Sequence, residues 1–168
     1  IHRQAGMAGA TQLLDQLRRT MPGGEGRFWR PFNPKHRAPF MLAAERYDRA
    51  GRLAARADRN GRKNGPLGHV ALDVLRELLR LGDYRTGRLD PAIKTLAQRI
   101  GRSVAAVVDA LKRLRVHGFL DWLRRYEPTN NPGRGPQVRQ TSNAYRLSLS
   151  PRAAAFLPAE SPVPDDLD

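Results

Sequence analysis

Apolar side chains recur at helical spacing in several stretches up to residue 118, after which the pattern turns to alternation. Residues 11 to 19 open on Thr11, a capping residue, and set Leu13, Leu14 and Leu17 on one side, which predicts a short helix broken by Gly23, Gly24 and Gly26. From Arg27 to Phe40 the aromatics Phe28, Trp29, Phe32 and Phe40 interleave with Arg27, Arg30, Lys35 and Arg37. Pro31, Pro34 and Pro39 punctuate this stretch, so it reads as an extended arm. Two readings of the arm are open: its aromatics dock on the domain and complete the core, or they contact a partner chain or nucleic acid.

Residues 41 to 60 place Ala43, Tyr47, Ala50, Ala54 and Ala57 on one narrow helical face and Arg46, Arg49, Arg52, Arg56, Arg59 and Lys63 opposite. That basic stripe suits a phosphate backbone, but Glu45 with Arg49 and Asp48 with Arg52 also suit ion pairs on a solvated helix. The run Asn60 to Pro66 ends the helix in a basic hinge.

The next helix is expected from about Gly68 to Leu81, with Ala71, Val74, Leu75 and Leu78 inward and Gly82 as its stop. After an extended piece around Arg85 to Leu89, Asp90-Pro91 reads as a helix start, with Asp90 as cap. Ile93, Leu96, Ala97 and Ile100 give that helix a buried face, and Gly101 ends it in a left-handed turn. Ser103 caps a further helix whose inward positions are Val104, Val107, Val108, Leu111 and Leu114, up to Gly118. Two short helices across a tight Gly turn form a helix-turn-helix.

Beyond Gly118, Phe119 and Leu123 alternate with Asp121, while Leu120, Trp122 and Tyr126 lie on the other side; this is a strand. Asn143 to Leu149 reads as its partner, with Tyr145, Leu147 and Leu149 on one face. Glu127 to Ser142, rich in Pro, Gly and Asn, makes a long hairpin tip, a wing. The fold class is therefore mainly α with a small β-hairpin wing, a winged helix-turn-helix with an N-terminal helical and extended arm. Three regions follow: 1–65 arm and basic helix, 66–150 winged helix-turn-helix, and 151–168 an acidic, Pro-rich flexible tail.

Composition narrows the partner. The chain has 168 residues, enough for one domain with flanking segments, and a formal charge of +14, mostly from Arg, whose planar fork suits phosphate and base edges. A polyanion is expected. No stretch approaches the roughly 20 apolar residues of a membrane span. No signal-type apolar run opens the chain, so a cytoplasmic protein on nucleoid or plasmid is expected. The sequence opens on Ile1 rather than Met, as a fragment or trimmed chain would. With no cysteine, and with His2, His36, His69 and His117 scattered, neither a disulfide nor a metal site is expected. No Ser-His-Asp set, phosphate-binding Gly loop or cofactor motif is present, so no enzyme is expected.

The segment from Gly87 to Leu120 carries Asp90-Pro91, Lys94-Thr95-Leu96-Ala97, Ile100-Gly101-Arg102-Ser103, Leu111, Leu114 and Gly118-Phe119-Leu120. It resembles the helix-turn-helix domains of phage and plasmid replication initiator proteins. The wider chain, with Arg27-Phe28-Trp29-Arg30-Pro31-Phe32, is similar to the alphaproteobacterial plasmid replication protein A family. That resemblance implies recognition of a replication origin.

With the inward set above, Ala105, Ala106, Asp109, Lys112, Arg113 and Val116 face outward on the second helix of the pair. Small alanines let its backbone approach the groove floor, and Arg102 and Ser103 at its start suit phosphate. Arg124 and Arg125 on the wing strand, with Arg134 and Arg139 at the tip, suit a minor groove, and Arg46, Arg49 and Arg56 a flanking backbone. The leading expectation is sequence-specific binding of double-stranded DNA at an origin. A dimeric repressor on an operator, paired through the arm, and a protein-interaction scaffold remain alternatives.

Overall fold

The computed structural model describes residues 28–57 and 64–159. The helix expected over 11–19, the residues Arg59 and Lys63 of the basic stripe, and the acidic end from residue 160 lie outside the described residues.

The described part of the arm is docked on the domain. Phe28 is buried beneath the Arg146 guanidinium, 4.6 Å from its ring, and the Trp29 indole N–H donates to the Tyr145 carbonyl at 3.2 Å. The Phe32 N–H bonds the Tyr84 carbonyl at 3.0 Å. These contacts favour the reading in which the arm's aromatics complete the core. The Asn33 side chain then accepts from the Lys35 N–H and starts a 3-10 turn, Pro34–His36. The turn runs straight into α1, Arg37–Ala57, so the helix begins well before residue 41. Pro39 falls in the first turn of α1, where a missing N–H forfeits no helical bond.

On α1 the buried positions are Ala43, Ala44, Tyr47 and Asp48, while Ala54 and Ala57 are exposed. The expected face thus serves only the first part of the helix. Neither of the expected pairs within α1 forms: Glu45 reaches Arg76 at 3.2 Å, and Asp48 turns inward. The buried Asp48 carboxylate accepts the N–H groups of Leu67 and Gly68, at 2.9 and 3.0 Å. Those are orphan donors at the start of α2, Gly68–Leu81, whose own N-cap residue Leu67 supplies no side-chain bond. A distant carboxylate replaces a local cap. The inward residues of α2 are Ala71, Val74, Leu75, Leu78 and Leu79. Gly82 ends α2 without a left-handed turn, at φ −58°, packed against the Phe32 ring.

The pair α3, Ile93–Ile100, and α4, Val104–Val116, is joined as the spacing predicts. Gly101 is left-handed at φ 66°. Its N–H bonds the Gln98 carbonyl and the Arg102 N–H the Ala97 carbonyl, the two bonds of a Schellman turn. The Ser103 hydroxyl accepts from the Ala106 N–H at 3.1 Å. Two details differ from the sequence reading. The buried set of α4 is Val107, Ala110, Leu111 and Leu114; Val104, beside the cap at the rim, is 45% exposed. Asp90 does not cap α3, whose N-cap is Ala92 and has no side-chain cap bond; its carboxylate binds Arg88 and Arg125 instead.

The strands β1, Leu120–Pro128, and β2, Val138–Leu147, pair antiparallel with Leu120 opposite Leu147 and Trp122 opposite Tyr145. A register irregularity sits between Leu123 and Arg125. β2 starts earlier than Asn143 because the ladder continues outward, with Glu127 opposite Arg139 and their side chains 2.6 Å apart. The tip shrinks to residues 129–137. Phe119 precedes β1 and is buried edge-on against Phe40 and Tyr47. The Tyr145 N–H bonds the Leu89 carbonyl at 2.7 Å, tying the stretch before α3 to the hairpin.

The region expected as a flexible tail folds at its start. Ser150 caps α5, Pro151–Ala154, Ala153 is buried, and the Phe156 ring lies edge-on to Tyr47 at 6.0 Å. Ala153 and Phe156 of this mostly apolar stretch pack on the core. The result is a mainly helical domain with a small β-hairpin wing, around one cluster that takes Tyr47 from α1, Leu75 and Leu78 from α2, Leu96 from α3, Leu111 and Leu114 from α4, and Tyr145 from β2. Among the described residues no helix is long and apolar enough to cross a membrane.

Two glycines separate backbone strain from steric exclusion. At Gly101 a Cβ would meet nothing within 4 Å, so Gly101→Ala should cost about 1–2 kcal/mol through φ alone, and Gly101→Asn should recover part of it. At Gly87, φ 77°, a Cβ would strike the backbone of Arg30, so Gly87→Ala should cost more and Gly87→Asn should recover nothing. Urea unfolding of the four variants checks the pattern; equal losses at both sites would contradict it.

The His117 imidazole, 2.8 Å from the Tyr47 hydroxyl, is held below its ordinary value by burial and then by Arg152 and Arg113, against a smaller opposite pull from Asp48. A histidine depressed in the fold takes its proton first in the unfolded chain, so its contribution is complete above about pH 6.5 and is lost as pH falls toward the folded value. His117→Gln should flatten the stability-versus-pH curve below about pH 6.5, measured by denaturation at stepped pH.

Candidate nucleic-acid interface

The cap and the turn leave one side of α4 in solvent. Arg102, Ser103, Ala105, Asp109, Lys112 and Arg113 are all exposed there, Ala106 is half-buried, and Val116 is 81% exposed. Residues 105, 109, 112 and 116 repeat at three- and four-residue steps, so they share a face, and Arg102 and Ser103 stand at its leading end. The N–H groups of the first turn point the same way, a favourable end for an anion.

The charges on this face are not all loose. The Arg113 Nε lies 3.0 Å from Asp109 one turn earlier, and Arg102 lies 3.6 Å from Asp73 on α2. Both are exposed pairs, of a kind that contributes about 0–1 kcal/mol and yields readily to a stronger anion. Lys112 has no ion pair among the described residues.

On the hairpin the predicted arginines divide. Arg124 and the tip residue Arg134 are exposed and form no ion pair among the described residues; Arg139 is exposed but pairs with Glu127. Arg125 is different. Its side chain is only 14% exposed, its Nε donates to the Ser142 carbonyl at 2.8 Å, its Nη2 reaches Asp90 at 3.0 Å, and it lies 5.7 Å from the Trp29 ring. It braces the hairpin against the stretch before α3, and the structure does not bring it to the surface with the others. No local signal in the sequence pointed to this pair, since Asp90 lies 35 residues from Arg125 and reads there as a helix cap.

Arg115 was not singled out from the sequence. It stacks over Trp122 of β1 at 4.1 Å, pairs with Asp121 at 3.1 Å, and so joins the end of α4 to the hairpin while staying half-exposed. Its place three residues after Lys112, with an aromatic on the following strand, was the available clue. Arg46, Arg49 and Arg56 are exposed on α1, a separate helix, where Arg46 donates to the Phe156 carbonyl at 3.4 Å.

No family model matches the chain, and no solved structure matches it. The chain is 33% identical over 150 residues to a "Replicating protein" of Rhizobium radiobacter, an alignment covering 84% of this chain and 50% of that protein. Identity of that extent supports a relation to a replication protein. The chain spans about half the length of this relative.

The brace between Asp90 and Arg125 generates a stability test. Asp90→Asn leaves a largely buried guanidinium without its carboxylate and should cost about 1–3 kcal/mol, whereas Glu127→Gln, which breaks the exposed pair with Arg139, should cost about 0–1 kcal/mol. Denaturant unfolding of both variants compares them, and an Asp90→Asn loss no larger than the Glu127→Gln loss would remove the bracing role.

Proposed function

We propose that this chain is the duplex-DNA-recognition part of a replication initiator. Its α3–turn–α4 unit would dock α4 in the major groove, with the hairpin alongside as a wing on the backbone or minor groove. The observation that carries the reading is the exposed face of α4: a Ser-capped helix start, small Ala105 and Ala106 at the leading end, then Lys112 and Arg113. A bulky leading residue would hold the helix off the groove floor, and an enclosed face could not enter it. The chain's charge of +14 supplies attraction, and the relation to a replicating protein favours an origin as the site over an operator.

Within this reading Arg102 and the Ser103 end position the helix on phosphate, Arg113 exchanges Asp109 for a guanine edge, and Arg115, Arg124, Arg134 and Arg139 follow the backbone beside it. Arg46, Arg49 and Arg56 would serve a flanking stretch. The reading gives these residues binding roles and no catalytic step.

Selection of bound sequences from a random duplex pool tests the assignment. Repeats in one orientation would agree with an origin; a short inverted repeat would turn the reading toward a dimeric regulator, and no enrichment would remove sequence recognition. On the selected duplex, affinity should fall steeply with salt as counterions are released. Arg113→Ala should cost about 1–3 kcal/mol on that duplex and little on a scrambled one. Arg134→Ala should weaken both duplexes evenly and lower the salt slope by up to about one unit. Equal losses on both duplexes for Arg113→Ala would take base reading away from that residue.

A further inference from the structure

Between the docked arm, the start of α1 and the base of the hairpin lies a cavity of about 280 Å³. That is just below the range of roughly 300–1,000 Å³ usual for small-ligand clefts. Its walls are chiefly apolar, from Phe40, Leu79, Leu89 and Leu147. The charged groups that line it are all of one kind: Arg30, Arg37 and Arg146, with the His36 imidazole beside them and no carboxylate among the lining residues. None of these three arginines has a carboxylate partner among the described residues.

A second observation falls on the same place. Among the described residues the buried Arg37 Nε lacks a hydrogen-bond partner, and Arg37 lines this cavity. Arg37 is held by one bond from Nη2 to the Gly82 carbonyl at 2.9 Å and by the Phe32 ring beneath it, so its fork is fixed with the Nε side unused. Buried donors of charged groups are ordinarily satisfied, because an unmade bond there costs about 1–3 kcal/mol. Arginine without an acid, in an apolar cleft, is an arrangement for an anion that brings its own apolar body.

We infer that this cavity binds a small amphipathic anion, a carboxylate or phosphate head on an apolar body, with the head at Arg37 and the body among Phe40, Leu79 and Leu147. This site is independent of the DNA reading, since none of the α4 residues lines it. Leu89 and Tyr145, which line it, form the backbone bond that seats the hairpin, so occupancy would bear on the hairpin's base.

The test uses the whole chain and four probes: octanoate and octyl phosphate, which carry both parts, inorganic phosphate, the head alone, and 1-octanol, the body alone. Titration followed by backbone amide shifts should show saturable binding of octanoate and octyl phosphate, with shifts at Gly82, Gly87 and Leu89, and at least about tenfold weaker binding of the two partial probes. Arg37→Met should weaken octanoate about tenfold and leave octanol unchanged; should that variant not fold, Arg30→Gln and Arg146→Gln should each weaken octanoate without moving octanol. The preference between octanoate and octyl phosphate reports which head the site takes. Octanol binding as tightly as octanoate, phosphate as tightly as octyl phosphate, shifts elsewhere in the chain, or displacement of octanoate by a short duplex would each overturn the inference, the last by making the cavity part of a nucleic-acid face.

Discussion

The Tyr47 ring is the contact on which the arrangement of this fold depends. It sits edge-on to Phe119, His117 and Phe156, and Arg152 lies over it, so one side chain of α1 touches the end of α4, the start of β1 and the segment after α5. Three edge-on aromatic contacts exceed what area burial alone would give. The hydroxyl adds a bond to His117, the residue that closes α4. The far end of α4, a helix that packs along its length on α2 and α3, is thus also tied to a helix remote in sequence.

Electrostatics divides the arginines by burial. Arg125 is tied into the hairpin by Asp90, and Arg37 by a carbonyl and a ring, whereas Lys112, Arg124 and Arg134 stand in solvent. A strongly basic chain repels itself, and using a few carboxylates as internal braces while leaving cations outward turns that repulsion into a surface property. Glu77 illustrates the economy: held below its ordinary value chiefly by the hydrogen bond from Arg80, it also takes Arg99 of α3.

Local chemistry was legible in the sequence; long-range satisfaction was not. Gly101 and Ser103 act as their residue types demand, because a left-handed turn and an N-cap are decided within a few residues. The bounds of α2 were readable from its period for the same reason. Asp48, Asp90 and Arg125 could not be placed, since each satisfies a group far along the chain: Asp48 the start of α2, Asp90 and Arg125 one another across the hairpin base. The start of α1 was hidden by Pro39, which looks like a breaker until it falls in a first turn. Residues 151–159 were hidden by the acidic, Pro-rich residues that follow them, although Phe156, which anchors the segment, stands among alanines, prolines and Leu157. Of the candidate interface, the α4 face was readable from its period, while the division of the wing arginines depended on partners that no local pattern shows.

The arm has a consequence beyond completing the core. A two-stranded sheet has two open edges, and an open edge invites pairing with another chain. At Tyr145 of β2 that invitation is withdrawn: its N–H is taken by the Leu89 carbonyl, and its carbonyl by the Trp29 indole. The crossing of the arm over Gly87 holds Trp29 there, because only a residue without a Cβ lets the Arg30 backbone pass so close. At this position the edge of β2 therefore offers no free backbone group to a neighbouring strand, and the segment that fills the core also caps that edge.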